Sequence, residues 1–274
     1  MPARNDKAFR HAIESGRPLY LLVLESPLAS PHSRHVACHE RFRSIFTYDD
    51  SLVDGSRYLK INYAFDLPDR VPHDLACKKR LCLTIAGNKR SSHPQELYTE
   101  RLTAIHWFER NHPTDFDLYG IGWDIGTIGA GFPRALASRC SRLRRLGKPL
   151  FPSWQGVVER KRDVMGLYRF ALCYENISDV PGYITEKLFD AFFAGTVPVY
   201  RGADNVAAHI PTECFIDLRR FDDYPSLYAY LTEMTDERYL GYLDAIEDFL
   251  TSRRAWPFSC DCFAETLLTG IVHG

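Results

Sequence analysis

The chain has 274 residues, enough for about two domains. Its 45% hydrophobic, 13% aromatic and 25% charged residues are a globular composition, which excludes a disordered tail, a collagen-like repeat and a small disulfide scaffold. Thirty-four basic side chains against thirty-five acidic ones give a net charge of -1, without the basic excess of a nucleic-acid binder, so any phosphate chemistry must come from a few placed cations.

The first eighteen residues are polar and charged and lack the apolar h-region of a secretory signal. A strand is expected over Leu19–Leu24, ending at Glu25-Ser26-Pro27, and a second over Ser44–Tyr48. Between them, His32, His35 and His39 with Cys38 could share one side of a helix; a solvated surface or a ligand-facing loop fits them better than a metal site. The segment 66–74, with two prolines and five charged or His residues, reads as a linker between a unit over 1–75 and a larger one over 76–243.

Beyond the linker, strands over Leu81–Ala86, Phe116–Gly120, Tyr168–Tyr174 and Val197–Tyr200 alternate with helices over Pro94–Arg110 and Thr185–Ala194. That alternation predicts a parallel α/β sheet. Phe170-Ala-Leu-Cys-Tyr174 is apolar on both faces, as a central parallel strand covered by helices should be. The helix after it places Leu188, Phe189, Phe192 and Phe193 on one face, with Gly195 as C-cap and Pro198 beyond. A helix over Asp236–Thr251 leads into a helical tail, 244–274. No stretch approaches the roughly 20 apolar residues that span a bilayer, so association with a membrane would be peripheral. Eight scattered cysteines favour reduced thiols and a cytoplasmic setting, a Golgi-luminal catalytic domain without its anchor being the alternative.

Glu175 to Lys187 is the segment best placed to carry a site. It joins the C-terminal end of a buried parallel strand to a helix N-terminus, the crevice where open α/β sheets bind ligands and where unpaired N–H groups favour anions. Lys187 stands in that helix's first turn, against the macrodipole. Either it binds an anion or it is a solvated helix lysine. Arg101 falls inside the apolar stripe of Leu97, Ala104, Ile105 and Phe108. An inward arginine meets a phosphate or a structural carboxylate.

Other signals carry less. Asp115-Phe116-Asp117 has the Asp-x-Asp form of some metal sites, but Phe116 is expected in the core with the aspartates flanking it. Gly120-Ile-Gly122 and Gly126 miss the dinucleotide-binding spacing, which leaves a nicotinamide oxidoreductase unsupported. Cys260-x-Cys262 has no second cysteine pair at zinc-site spacing. With no Gly-x-Ser-x-Gly elbow and no P-loop, hydrolase and kinase readings have no anchor.

Three blocks, Tyr168-Arg-Phe-Ala-Leu-Cys-Tyr-Glu-Asn176, Gly182-Tyr-Ile-Thr-Glu-Lys-Leu188 and Ala194-Gly-Thr-Val-Pro-Val-Tyr-Arg-Gly202, resemble the signature of the α-1,3/4-fucosyltransferases, glycosyltransferase family 10. The resemblance continues through Phe215-Ile-Asp217, and upstream through Leu24-Glu-Ser-Pro27, Phe46-Thr-Tyr48 and Gly87-Asn88 to Arg101. It implies a GT-B fold, two Rossmann-like domains facing each other across a cleft; with only twenty-four residues before Glu25, the N-terminal one is expected either to be reduced or to lack its opening βαβ unit here. It also implies an inverting transfer of L-fucose from GDP-fucose to a GlcNAc- or Glc-containing glycan, in α-1,3 or α-1,4 linkage. By the same resemblance Glu25 is the general base, Asn176, Tyr183 and Lys187 contact the diphosphate side of the donor, Glu186 holds the ribose and Arg101 pairs with phosphate. Asn88, Lys89 and Glu175 are secondary candidates. No metal and no cofactor are expected beside GDP-fucose. A related transferase using another nucleotide sugar, such as GDP-mannose, and a donor-binding protein without turnover are the alternatives.

Overall fold

A computed structural model describes residues 7–30, 39–124, 126–127 and 148–272. After a short helix α1 (Lys7–Glu14), strands β1 (Tyr20–Val23), β2 (Ser44–Thr47) and β3 (Tyr58–Lys60) form an all-parallel sheet in that order. Alternation sets its faces: Leu19, Leu21 and Val23 turn into a small core with Ile45 and Tyr58. The short strand β3 gives no periodic signal, and the sequence reading passed over it.

The second sheet is built from β4 (Arg80–Ile85), β5 (Phe116–Tyr119), β8 (Trp154–Gly156), β9 (Tyr168–Tyr174), β10 (Val197–Arg201) and β11 (Ile216–Asp217). Gly126–Thr127 (β6) and Lys148–Pro149 (β7) pair separately as an antiparallel ribbon. The six strands are all parallel in the order β11-β10-β9-β4-β5-β8. The chain therefore winds from β4 outward to β8, returns to the other side of β4 as β9, and winds the opposite way. This is the doubly-wound order, and its switch point lies between β4 and β9. Phe170 to Tyr174 are all buried, as a strand covered on both faces requires.

Among the described residues, five helices follow in chain order after α1 and before the last two: α2 (Tyr98–Asn111), α3 (Lys161–Met165), α4 (Glu186–Phe193), α5 (Val206–His209) and α6 (Tyr224–Thr232). Helix α2 begins four residues later than the sequence predicts. Glu96 accepts hydrogen bonds from the N–H groups of Tyr98 and Thr99 at 2.6 and 3.1 Å, capping the helix where the turn after Pro94 ends. Helix α4 buries Leu188, Phe189, Ala191 and Phe192, and Gly195 follows it at φ +61°. A side chain there would also strike Pro72 O at 2.1 Å, so glycine is required twice over.

Helix α7 (Asp236–Thr251) runs across the expected boundary at 243/244, which thus falls inside a helix. The last helix, α8 (Cys260–Val272), is not a separate tail: it returns to the first sheet. Gly270 lies against Phe46 and Leu59, and Tyr20 and Ser44 donate to the carbonyls of Ile271 and Gly270. The expected linker is held as well. Val71 donates to Glu247 at 2.7 Å, His73 reaches Asp244 at 3.1 Å, and Phe65 stacks on Phe189 with centroids 4.3 Å apart. Prolines keep this segment extended, but contacts to α4 and α7 remove its freedom.

Candidate active site

The C-terminal ends of β4 and β9 open on a narrow cavity lined by Ala86, Arg101, Lys161, Cys173, Lys187 and Asp190 among others. It sits at the switch point, and three of those side chains are cations supplied by three different helices, α2, α3 and α4.

Arg101 is 3% exposed. Its Nη2 donates to Gly87 O at 2.8 Å, its guanidinium lies 5.3 Å from the ring centroid of Tyr98, and its Nε has no partner. Among the described residues no carboxylate pairs with it. A buried guanidinium with an unused donor, on a residue that lines a cavity, is the arrangement that an anionic ligand completes.

Lys187 is held differently. Its Nζ contacts Glu175 Oε2 at 3.0 Å and Thr185 Oγ1 at 2.9 Å, and Glu186 Oε1 at 3.7 Å. Glu175 is 0% exposed, and also accepts from Thr185 N at 2.8 Å and Thr185 Oγ1 at 2.7 Å. A protein carboxylate thus already occupies part of the helix N-terminus expected to be open to a ligand, and Lys187 is neither solvated nor free. Burial opposes its charge, but Glu175 and Glu186 outweigh burial and raise the ammonium above its ordinary value. Lys187 also lines the cavity. Glu175, a secondary candidate, is too enclosed to touch a ligand and acts as the anchor of Lys187.

The Glu186 side chain is 41% exposed, beside Lys161 and Lys187. Burial pushes its carboxyl up, but Lys187 and Lys161 together hold it below its usual range. Lys161, from the charged stretch Arg160-Lys-Arg162, bonds Asp190 at 2.6 Å and approaches Glu186 at 3.9 Å. Nothing in a basic run marks one lysine as inward; only the packing of α3 beside α4 does so.

Tyr183 is 1% exposed, its ring packed 4.9 Å from Tyr48 and 6.5 Å from Tyr63, so it joins the loop before α4 to the first sheet, where the sequence led one to expect a diphosphate contact. Gly182 beside it, at φ +77°, leaves no room for a Cβ, which would meet Tyr48 O at 2.3 Å. Asn176 is half-buried and its carbonyl accepts from Leu97 N at 3.0 Å. The Asn88 side chain is spent on Gly122 O at 2.9 Å, and Lys89 is exposed.

Glu25 is exposed, two residues beyond β1. Its charge reaches across to the larger unit: burial raises the hydroxyl pKa of Tyr98 and of Tyr183, and Glu25 adds to both.

The remaining motifs are structural. Asp117, 3% exposed, takes Arg80, Tyr168 and Gln155 at 2.6–2.8 Å, and Asp115 takes Tyr228 at 2.6 Å. Phe116 is core, but so is Asp117, made affordable by three donors. Cys260 and Cys262 lie in the first turn of α8. His32, His35 and Cys38 fall outside the described residues; His39 is buried against Tyr58. Among the described residues, no three His, Cys, Asp or Glu side chains converge as metal ligands, and no helix is long and apolar enough to cross a membrane.

The sequence profile of the glycosyltransferase family 10 (fucosyltransferase) C-terminal domain matches residues 147–261. The α-(1,3)-fucosyltransferase FucT of Helicobacter pylori is 32% identical over 89 residues, 32% of this chain and 18% of that protein. The α-(1,4)-fucosyltransferase of Arabidopsis thaliana is 41% identical over 73 residues, 27% of this chain and 18% of its own length. The matched segments thus span about a fifth of these relatives. Among solved structures, an α1,3-fucosyltransferase with GDP-fucose superposes with a TM-score of 0.53 at 16% identity, covering 93% of this chain and 75% of that one. Anabaena HepE in complex with UDP and glucose superposes at 0.59 and 12% identity, covering 97% and 75%. At such identities these structures bear on the fold, which is the GT-B arrangement. Residues 147–261 of this chain are thus similar to the C-terminal domain of the family 10 fucosyltransferases.

Proposed function

We propose that this chain is an inverting fucosyltransferase that moves L-fucose from GDP-fucose to a hydroxyl of a GlcNAc- or Glc-containing glycan, without a metal ion. The observation that carries this reading is Arg101: a buried, carboxylate-free guanidinium with an unused donor at the sheet's switch point. Lys187 and Lys161 stand on the same cavity. A diphosphate supplies the anion that this set lacks. Glu186, exposed beside Lys161 and Lys187, suits the ribose hydroxyls.

In the reaction, Glu25 accepts the proton of the acceptor hydroxyl as that oxygen bonds to C1 of fucose from the face opposite GDP. The C1–O bond to phosphate breaks and its electron pair leaves with GDP, through a transition state with oxocarbenium character. Charge grows on the departing diphosphate, where Arg101 and Lys187 stabilise it as it develops. Glu25 then passes its proton to solvent.

The first experiment is thermal unfolding with GDP, UDP, CDP or ADP. A ligand at about 100 times its Kd stabilises by about 2.7 kcal/mol, several degrees for a chain of this size. Selective stabilisation by GDP is expected; its absence would remove the donor assignment. GDP-fucose turnover against a glycan panel then reads the acceptor and the linkage. Glu25→Gln should lower kcat by roughly 10²–10⁴-fold with GDP affinity unchanged.

A further inference from the structure

Glu25 lies beyond the last ladder hydrogen bond of β1, where an exposed side chain has nothing in the sheet to aim it. Its two flanking peptides are nevertheless both tied down. Tyr63 donates its hydroxyl to the carbonyl of Leu24 at 2.8 Å, which fixes the peptide before Glu25. Tyr48 donates to the carbonyl of Glu25 itself at 3.3 Å, which fixes the peptide after it. Holding both peptide planes sets φ and ψ of Glu25, and with them the direction of its Cα–Cβ bond.

The two tyrosines are themselves seated on the donor side. Both rings pack against Tyr183, at 4.9 Å for Tyr48 and 6.5 Å for Tyr63. Tyr183 stands three residues before Glu186 on the loop that leads into α4. The backbone of Glu25 is thus referenced to the loop that carries the donor residues rather than to its own strand.

We infer that Tyr63, together with Tyr48, is a positioning residue that aims Glu25 at the donor site. The inference rests on Glu25 being the general base. Burial, with the charges of Tyr183, Glu25 and Glu186 behind it, pushes the Tyr63 hydroxyl well above its ordinary range, so it remains a donor wherever Glu25 is ionised. Tyr48 is 1% exposed in the small core, so Tyr63, half-buried, is the residue to vary.

Tyr63→Phe removes one hydroxyl and keeps the ring against Tyr183. The test compares the full chain, Y63F, E25Q and the double variant, with GDP-fucose and the glycan acceptor that the panel selects as substrates and GDP binding measured in parallel. Y63F should lower kcat about tenfold, the scale of a sub-ångström misplacement of a catalytic group, while KM for the donor and Kd for GDP stay as they were. In the E25Q background the same change should cost nothing further. A merely structural hydroxyl would instead lower melting temperature and cost the same factor in both backgrounds. An equal loss in both, or wild-type kcat in Y63F while E25Q is impaired, overturns the positioning role and leaves the base in place. Unimpaired turnover in E25Q removes the base assignment, and the positioning role falls with it.

Discussion

Glu175 at the end of β9 and Lys187 in the first turn of α4 are joined at 3.0 Å, with the carboxylate wholly buried and the lysine 17% exposed. The contact closes the loop between strand and helix on itself. It also sets the electrostatics of the helix N-terminus, where a fixed anion and a fixed cation replace the empty positive end of an ordinary helix.

Removing the cation alone strands a buried carboxylate. Lys187→Met should therefore destabilise by about 3–5 kcal/mol, the cost of breaking such a pair from one side, and lower the melting temperature by on the order of 10 °C. Adding Glu175→Gln should restore part of that loss, because no unpaired charge then remains. GDP affinity should stay weak in the double variant, since the ligand's cation is gone. Recovery of both quantities together would mean that Lys187 serves GDP only through the fold.

Arg101 makes the opposite case. It has no carboxylate partner among the described residues, so Arg101→Met leaves no stranded acid and should change the melting temperature little. It should weaken GDP binding by about 1.5–3 kcal/mol, the worth of hydrogen bonds to a charged group, or roughly 10- to 150-fold in Kd. Guanosine, which lacks the diphosphate, should bind both proteins alike. Calorimetric titration of the two ligands reads the difference, and an equal loss for guanosine would place Arg101 elsewhere.

The parts of this site that could be read from sequence were those fixed by periodicity. The inward turn of Arg101 follows from its place in a 3.6-residue stripe, and β9 and α7 appear at their observed limits because their apolar patterns are long. What sequence hid depends on partners far along the chain. Lys187 meets Glu175 twelve residues back, Lys161 meets Asp190 twenty-nine residues on, and Tyr183 is covered by Tyr48 from the other sheet. A residue's burial by another element leaves no trace in its own neighbourhood. The three-residue strands β3 and β8 were too short to carry a period at all.

With Arg101 and Lys187 assigned to the diphosphate, GDP-fucose turnover should be unchanged by EDTA and unchanged again by added Mn²⁺. Activity abolished by the chelator and restored by Mn²⁺ would transfer that role to a bound cation.

Asp50 links the two units and makes their union sensitive to acid. Its carboxylate contacts Lys60 at 2.6 Å within the first unit, and His209 and Asn205, both at 2.7 Å, on the second. Asn205 in turn accepts from Gly182 N at 2.9 Å, and Asp50 N donates to Pro181 O at 3.2 Å, so the latch also grips the loop before α4. Burial pushes the Asp50 carboxyl up, but His209, Lys60 and Asn205 together draw it well below its ordinary value. A carboxyl depressed in the folded state adds stability that is present above its unfolded pKa, near 3.9, and is lost as pH falls toward the folded one. Asp50→Asn should thus cost about 2 kcal/mol at pH 7, between the worth of one charged hydrogen bond and that of a fully buried pair. The gap between variant and wild type should close as pH drops below about 4. Denaturant melts from pH 7 to pH 3 measure this; a gap that stays constant over that range would mean that the ionised form of Asp50 is not what holds the units together.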